Sequence, residues 1–198
     1  MDAAVNAGAD LIGFVFFKKT PRYVTPPVAS GLAGHVPPGV IKTGLVVDAT
    51  NDELAVITGS GAVDMLQLHG AETPERVQEV KTRTGLPVMK ALSISGPADV
   101  EAARAHEAVA DRLLFDAKPP KDAERPGGNA QAFDWGLLAG SDWNVPWLLA
   151  GGLTPENVGE AIRVSGAPGV DVSSGVERSP GDKDPALIRA FIEAARKV

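Results

Sequence analysis

Apolar residues along this chain fall in short, nearly continuous runs separated by longer stretches with helical spacing. The runs are LIGFVF (11–16), VIKTGLVV (40–47), DMLQLH (64–69), PVMKAL (87–92), RLLFDA (112–117), PWLLAG (146–151) and GVDVSS (169–174). Continuous rather than alternating hydrophobicity is the pattern of strands buried on both faces, as in a parallel sheet. Between them, TPERVQEVKTRTG offers Thr73 as cap, Pro74 in the first turn and Gly85 as stop. TPENVGEAIRVSG repeats that start, and DPALIRAFIEAARKV opens on Asp184. TPPVASGLAGHV, ATNDELAVITGSGA, GPADVEAARAHEAV and the short FDWGLLAG complete the helical set, with MDAAVNAGAD reading as the back half of one more.

The expectation is therefore seven strands and eight helices in one domain spanning residues 1–198. A doubly wound open sheet and a (β/α)8 TIM barrel both use such units. Eight helices with seven strands becomes regular if the barrel lacks its first strand, which would stand before Met1. Seven strands cannot close such a barrel without strain, and two strands would keep unpaired edges. The chain is then expected to be marginal, or to be completed by a second chain or by further residues.

Composition narrows the partners. With 44% hydrophobic residues the 198-residue chain can bury a core, and no apolar run approaches the roughly 20 residues of a membrane span. The net charge is −6 and no basic stripe follows any helix, so neither nucleic acid nor membrane is expected as a partner. No secretory leader is visible, which makes the cytoplasm the expected compartment. There is no cysteine, which removes disulfides, thiolate metal sites and a thiol nucleophile or base from this chain. The three histidines show no ligand spacing, so no metal site is expected.

In a barrel the chemistry sits at the C-terminal ends of the strands. Lys18, Lys19, Arg22, Asp48, Gln67, His69, Lys90 and Asp116 all fall at or after such ends. LLAGGLTPENV places Gly151 and Gly152 between a strand and a helix, and VDVSSGVE places Ser173, Ser174 and Gly175 in the next unit. Two such loops in succession suit a phosphate, because glycines admit the oxygens to backbone N–H groups. Each pair alone could equally make a tight turn or a cap. Asp116 ends an apolar strand, where apolar walls favour a proton-carrying carboxyl suited to general acid catalysis; it could instead cap its loop or pair with Lys118. Arg22 could grip a carboxylate through two hydrogen bonds or be a solvated loop residue. His69 could meet substrate or donate to a carbonyl. His35 and His106 read as surface residues, and Trp135, Trp143 and Trp147 as core.

These residues, in this order, resemble the phosphoribosylanthranilate isomerase family of tryptophan biosynthesis. The resemblance runs nearly end to end through AGADLIGFVFFKKTPRYV, VDMLQLHG, LLFDAKPP, RPGGNAQAFDW, LLAGGLTPENV and GVDVSSGVERSPGDKD. Asn129–Ala130 stands where the family usually carries Thr-Gly. The resemblance implies a (β/α)8 barrel and an Amadori rearrangement of N-(5′-phosphoribosyl)anthranilate that needs no cofactor. It implies Asp116 as general acid, Arg22 facing the anthranilate carboxylate, His69 and Asp171 lining the pocket, and phosphate held by Gly128, Gly151, Gly152, Ser173, Ser174 and Gly175. The family's general base is a cysteine on the first strand, which this chain does not have, so weak activity is expected of it. A monomer or homodimer acting on a small phosphorylated substrate is implied. The competing readings are another phosphosugar isomerase or epimerase barrel, and a non-catalytic or truncated phosphate-binding barrel.

Overall fold

Helix starts follow the polar signals closely. Thr73 Oγ1 accepts the Arg76 N–H at 3.4 Å, Pro74 occupies the first turn, and Gly85 ends the helix at a φ of 68°. Thr50 and Glu53 form a reciprocal capping box, and Asp184 Oδ1 accepts the Ala186 N–H at 2.7 Å. Each such cap satisfies N–H groups that the helix itself leaves free and contributes about 0.5–2 kcal/mol.

In the computed structural model, residues 1–118 and 132–198 are described. The elements run α1 (Asp2–Ala7), β1 (Leu11–Val15), α2 (Pro26–Ala33), β2 (Ile41–Val46), α3 (Asn51–Gly59), β3 (Met65–Leu68), α4 (Pro74–Thr84), β4 (Val88–Ile94), α5 (Pro97–Glu107) and β5 (Arg112–Ala117). They continue with β6 (Trp147–Leu149), α6 (Val158–Ser165), β7 (Glu177–Ser179), β8 (Asp182–Lys183) and α7 (Pro185–Ala195). Strands β1 to β6 form one parallel sheet in sequence order, a half-barrel, with Leu11 beside Ile41, Thr43 beside Met65 and Leu113 beside Trp147.

The structure corrects the expected count in three places. Among the described residues there are six parallel strands rather than seven and seven α-helices rather than eight. GVDVSS meets the sheet at one bridge, Val170 to Leu149, held by Leu149 N–H to Gly169 at 3.0 Å and Asp171 N–H to Leu149 at 2.8 Å. The ladder stops there because the backbone leaves extended geometry at Ser173 (φ −123°, ψ −82°) and turns into a single 3-10 turn, Ser174–Val176. FDWGLLAG is likewise a 3-10 turn, Trp135–Leu138, started by Asp134 Oδ1 on the Gly136 N–H and ended before Gly140 at a φ of 68°. The antiparallel hairpin β7–β8, turning at Gly181 (φ 89°), was not anticipated.

The core lies between the sheet and the helices. Leu113, Leu114 and Phe115 of β5 are fully buried, and Phe115 packs against Trp143 at 4.9 Å and Trp147 at 5.5 Å between ring centres. Arg104 stacks over Trp143 at 3.9 Å, a cation–π contact. His106, expected at the surface, is half-buried on α5 with Nε2 3.2 Å from the Glu72 carbonyl, and burial pushes its pKa down. β1, the Val170 segment and apolar residues of α7 such as Ile188 and Phe191 line a cavity of about 870 Å³ that also reaches the C-terminal ends of the strands. On its side away from β2, β1 makes only an isolated bridge, Val15 to Tyr23, among the described residues. None of the described helices is long and apolar enough to cross a membrane.

Candidate active site

All six strands of a parallel sheet end on one side, so their last residues converge there. Asp116, next to last in β5, is 6% exposed and lines the cavity. Its Oδ1 accepts the N–H of Ala117 at 2.8 Å. Its Oδ2 lies 3.2 Å from His69 Nε2, which follows β3. The Gln67 amide nitrogen stands 3.0 Å from His69 Nδ1. An amide N–H donating there leaves the ring proton on Nε2, facing Asp116. That contact is close but poorly aligned, and Nε2 is buried without a well-formed hydrogen bond among the described residues. Lys118 also lines the cavity, and its ammonium is 4.0 Å from Asp99.

Asp171 enters the same cavity from the segment after the Val170 bridge. Burial, and after it the negative Asp116, push its pKa up, against the pull of His69 and Lys183. The desolvation and the nearby negative charge both favour the protonated form of the Asp171 carboxyl.

The two loops expected to hold phosphate line the cavity beside these carboxyls. Among the described residues, no acceptor takes the backbone N–H of Gly152, Ser174 or Gly175. Gly175 packs so tightly on the first loop that a Cβ there would lie 1.8 Å from the Leu153 carbonyl oxygen. Gly151, at a φ of 87°, closes on β5: a Cβ would stand 2.5 Å from Ala117 N and 2.8 Å from Asp116 Oδ1. Its missing side chain thus serves the seating of Asp116. Gly128 lies outside the described residues.

Arg22 binds a carboxylate, but of the protein itself. Its Nε and Nη2 donate to Glu177 Oε1 and Oε2 at 2.7 and 2.6 Å. Lys183 Nζ meets Glu177 Oε1 at 2.9 Å and donates to the Ser173 carbonyl at 2.7 Å. Burial opposes ionisation of Glu177, yet the bonds from Arg22 and Lys183 outweigh it and hold the carboxyl down at about 2. Behind the site, Lys90 pairs with Glu72 at 2.8 Å, both almost fully buried, and Glu72 also accepts the N–H groups of Asp48 and Gly70 at 2.9 Å. This knot fixes the turn after His69. Lys18 and Lys19 are exposed. Among the described residues, no His, Asp and Glu cluster could hold a metal ion.

Sequence reasoning thus assembled Asp116, His69, Asp171 and the two loops at one cavity but missed Glu177, Lys183 and Glu72. The turn signal SPGD, flanked by Glu177 and Lys183, was the one sign of the hairpin that brings the first two together.

A parallel sheet with an acid, a histidine and two glycine- and serine-containing loops gathered at its C-terminal edge is the layout of an α/β barrel-type enzyme. The family described as PRAI, N-(5'phosphoribosyl)anthranilate (PRA) isomerase, matches residues 1–194. The N-(5'-phosphoribosyl)anthranilate isomerase of Paracoccus denitrificans is 61% identical over 193 residues, covering 98% of this chain and 90% of that protein. The crystal structure of the enzyme from Thermotoga maritima superposes with a TM-score of 0.88 at 36% identity, covering 99% of this chain and 92% of that one. A further phosphoribosyl anthranilate isomerase, solved with reduced 1-(o-carboxyphenylamino)-1-deoxyribulose 5-phosphate, gives 0.82 at 32% identity, over 99% and 92%. This chain belongs to the phosphoribosylanthranilate isomerase family.

Proposed function

We propose that this chain converts N-(5′-phosphoribosyl)anthranilate to 1-(2-carboxyphenylamino)-1-deoxyribulose 5-phosphate in tryptophan biosynthesis. The observation that carries the reading is the cavity itself: Asp116, His69 and Asp171 share it with two loops in which the N–H groups of Gly152, Ser174 and Gly175 meet no acceptor among the described residues. Protonated Asp116 donates to the furanose ring oxygen. The C1′–O bond breaks as the anthranilate nitrogen lone pair forms C1′=N. A base removes the C2′ proton, and the bonding pair moves into C1′=C2′ while the iminium takes back its electrons. The enolamine then becomes the ketone. The substrate nitrogen is the electron sink, so the scheme calls on no cofactor. His69 and Asp171 line the ring, the loops at Gly152 and Ser174 take the phosphate, and Arg22 faces the carboxylate.

The sheet bears on the base. The outer side of β1, which has no ladder partner among the described residues, and the Val170 segment border one cavity, and we infer that a further extended strand pairs between them. Such a strand completes a (β/α)8 wheel and is the place for the cysteine that the family uses. The test is conversion of the phosphorylated substrate by this chain and by a form carrying that strand, each with Asp116→Asn. A general acid contributes about 10²–10⁴-fold, so the variant loses that much. Undiminished turnover by Asp116→Asn removes Asp116 from the mechanism.

A further inference from the structure

Glu177 contacts two cations that line the cavity, Arg22 and Lys183. It is 4% exposed and accepts three bonds from two cations. Arg22 comes from the loop after β1, Lys183 from β8, and Glu177 from β7. The hairpin exists to bring the last two together; its register places Glu177 opposite Lys183.

The geometry at each cation is informative. A guanidinium has five N–H donors arranged along edges. Glu177 takes the edge formed by Nε and Nη2. The remaining edge, with Nη1, has no acceptor among the described residues, and Arg22 lines the cavity. Bound in this way, Arg22 presents a second pair of parallel donors in a fixed plane, the arrangement that suits a carboxylate. Lys183 differs. Its ammonium has three protons, and three acceptors surround it: Glu177 Oε1, the Ser173 carbonyl at 2.7 Å and Ser173 Oγ at 3.3 Å. It is therefore engaged as a brace on the Ser173–Ser174 loop rather than left as a free cation. One carboxylate thus fixes Arg22 directly and the serine loop through Lys183.

We propose that Glu177 is the positioning residue for both anion subsites, orienting Arg22 for the substrate carboxylate and, through Lys183, the serine loop for the phosphate. The inference rests on the assignment of those two subsites under the proposed function. It differs from a general stabilising role because it makes the two ends separable: Lys183 serves one, Arg22 the other, Glu177 both.

The experiment titrates the full chain separately with anthranilate and with inorganic phosphate by calorimetry, for the wild type and the variants Glu177→Gln, Lys183→Met and Arg22→Lys. Circular dichroism and a thermal melt report folding for each. Truncating a buried hydrogen-bonded charge partner commonly weakens binding by about tenfold or more. Glu177→Gln is expected to lose about that much for both probes, Lys183→Met for phosphate alone, and Arg22→Lys for anthranilate alone, with the untouched probe within about twofold. A folded Glu177→Gln that keeps either affinity overturns the proposal. Should Glu177→Gln not fold, the other two variants decide: equal weakening of both probes, or of neither, also overturns it. A wild type that binds neither probe overturns the subsite assignment itself, which is distinguishable because it precedes any substitution.

Discussion

Replacing Gly151 by alanine tests whether this glycine seats Asp116. The perturbation has two parts. The backbone at Gly151 has a φ of 87°, where any Cβ crowds the following carbonyl at a cost of about 1–2 kcal/mol. The new methyl would also stand 2.5 Å from Ala117 N, 2.8 Å from Asp116 Oδ1 and 2.9 Å from Ala117 Cβ. Two of those neighbours belong to β5 backbone or its first side-chain carbon, which cannot swing aside, and relieving such overpacking costs about 1–3 kcal/mol. The combined loss of about 2–5 kcal/mol lowers the melting temperature by roughly 4–20 °C in a protein of this size. Gly85 supplies the control. It also has a positive φ, 68°, but a Cβ there meets nothing within 4 Å, so Gly85→Ala carries the backbone cost without the collision. The difference between the two variants isolates the collision with the Asp116–Ala117 end of β5. The assay is thermal and denaturant unfolding of both, with turnover measured in parallel. Gly151→Ala should unfold earlier than Gly85→Ala and lose activity through the displaced Asp116 carboxyl. Equal melting of the two variants would refute the packing argument.

Two further outcomes follow from the buried charges. Asp171 has a raised pKa in the folded chain, so its protonated form favours folding below the unfolded value, and that contribution is lost as pH rises through the folded value. Asp171→Asn should therefore raise the melting temperature at pH 8 more than at pH 4; an equal gain at both pH values would count against burial as the cause. Lys90→Met leaves Glu72 charged and buried beside its Asp48 and Gly70 N–H donors, a loss of about 3–5 kcal/mol in urea unfolding. Adding Glu72→Gln should recover part of it, and a double variant as damaged as the sum of the two singles would show that the pair does not interact.

The parts of this fold that could be read from sequence are those set by neighbours a few residues away. Thr73–Pro74 and Gly85 bracket a helix because the cap, the proline ring and the positive φ are all local events. Asp116 and His69 could be placed at one rim because parallel strands connected by helices must all end on the same side. GVDVSS misled for a related reason. Continuous apolarity reports burial on two faces, whereas a strand also needs a hydrogen-bonding neighbour along its length, and Val170 finds one for a single bridge. Glu177 was invisible because Arg22 lies 155 residues away, and nothing in either local pattern says which carboxylate will meet which guanidinium.

Local and distant constraints meet at the glycines. Sequence favoured phosphate as the reason for Gly151, since backbone approach to an anion and backbone approach to a protein group demand the same missing side chain. In the structure Gly151 is pressed on Asp116 while Gly175 is pressed on Leu153, so β5, the Gly151–Gly152 loop and the serine loop form one interlocked stack. On the proposed function, Asp116 as proton donor and the two loops as phosphate cradle would serve one substrate and so need a fixed separation. Side-chain hydrogen bonds alone would leave that separation to rotamers; backbone packed on backbone removes the freedom. The same requirement accounts for Glu177, which holds the long flexible stems of Arg22 and Lys183, and Gly181 of the same hairpin adds backbone packing there, since a Cβ on it would lie 3.0 Å from the Pro21 carbonyl oxygen.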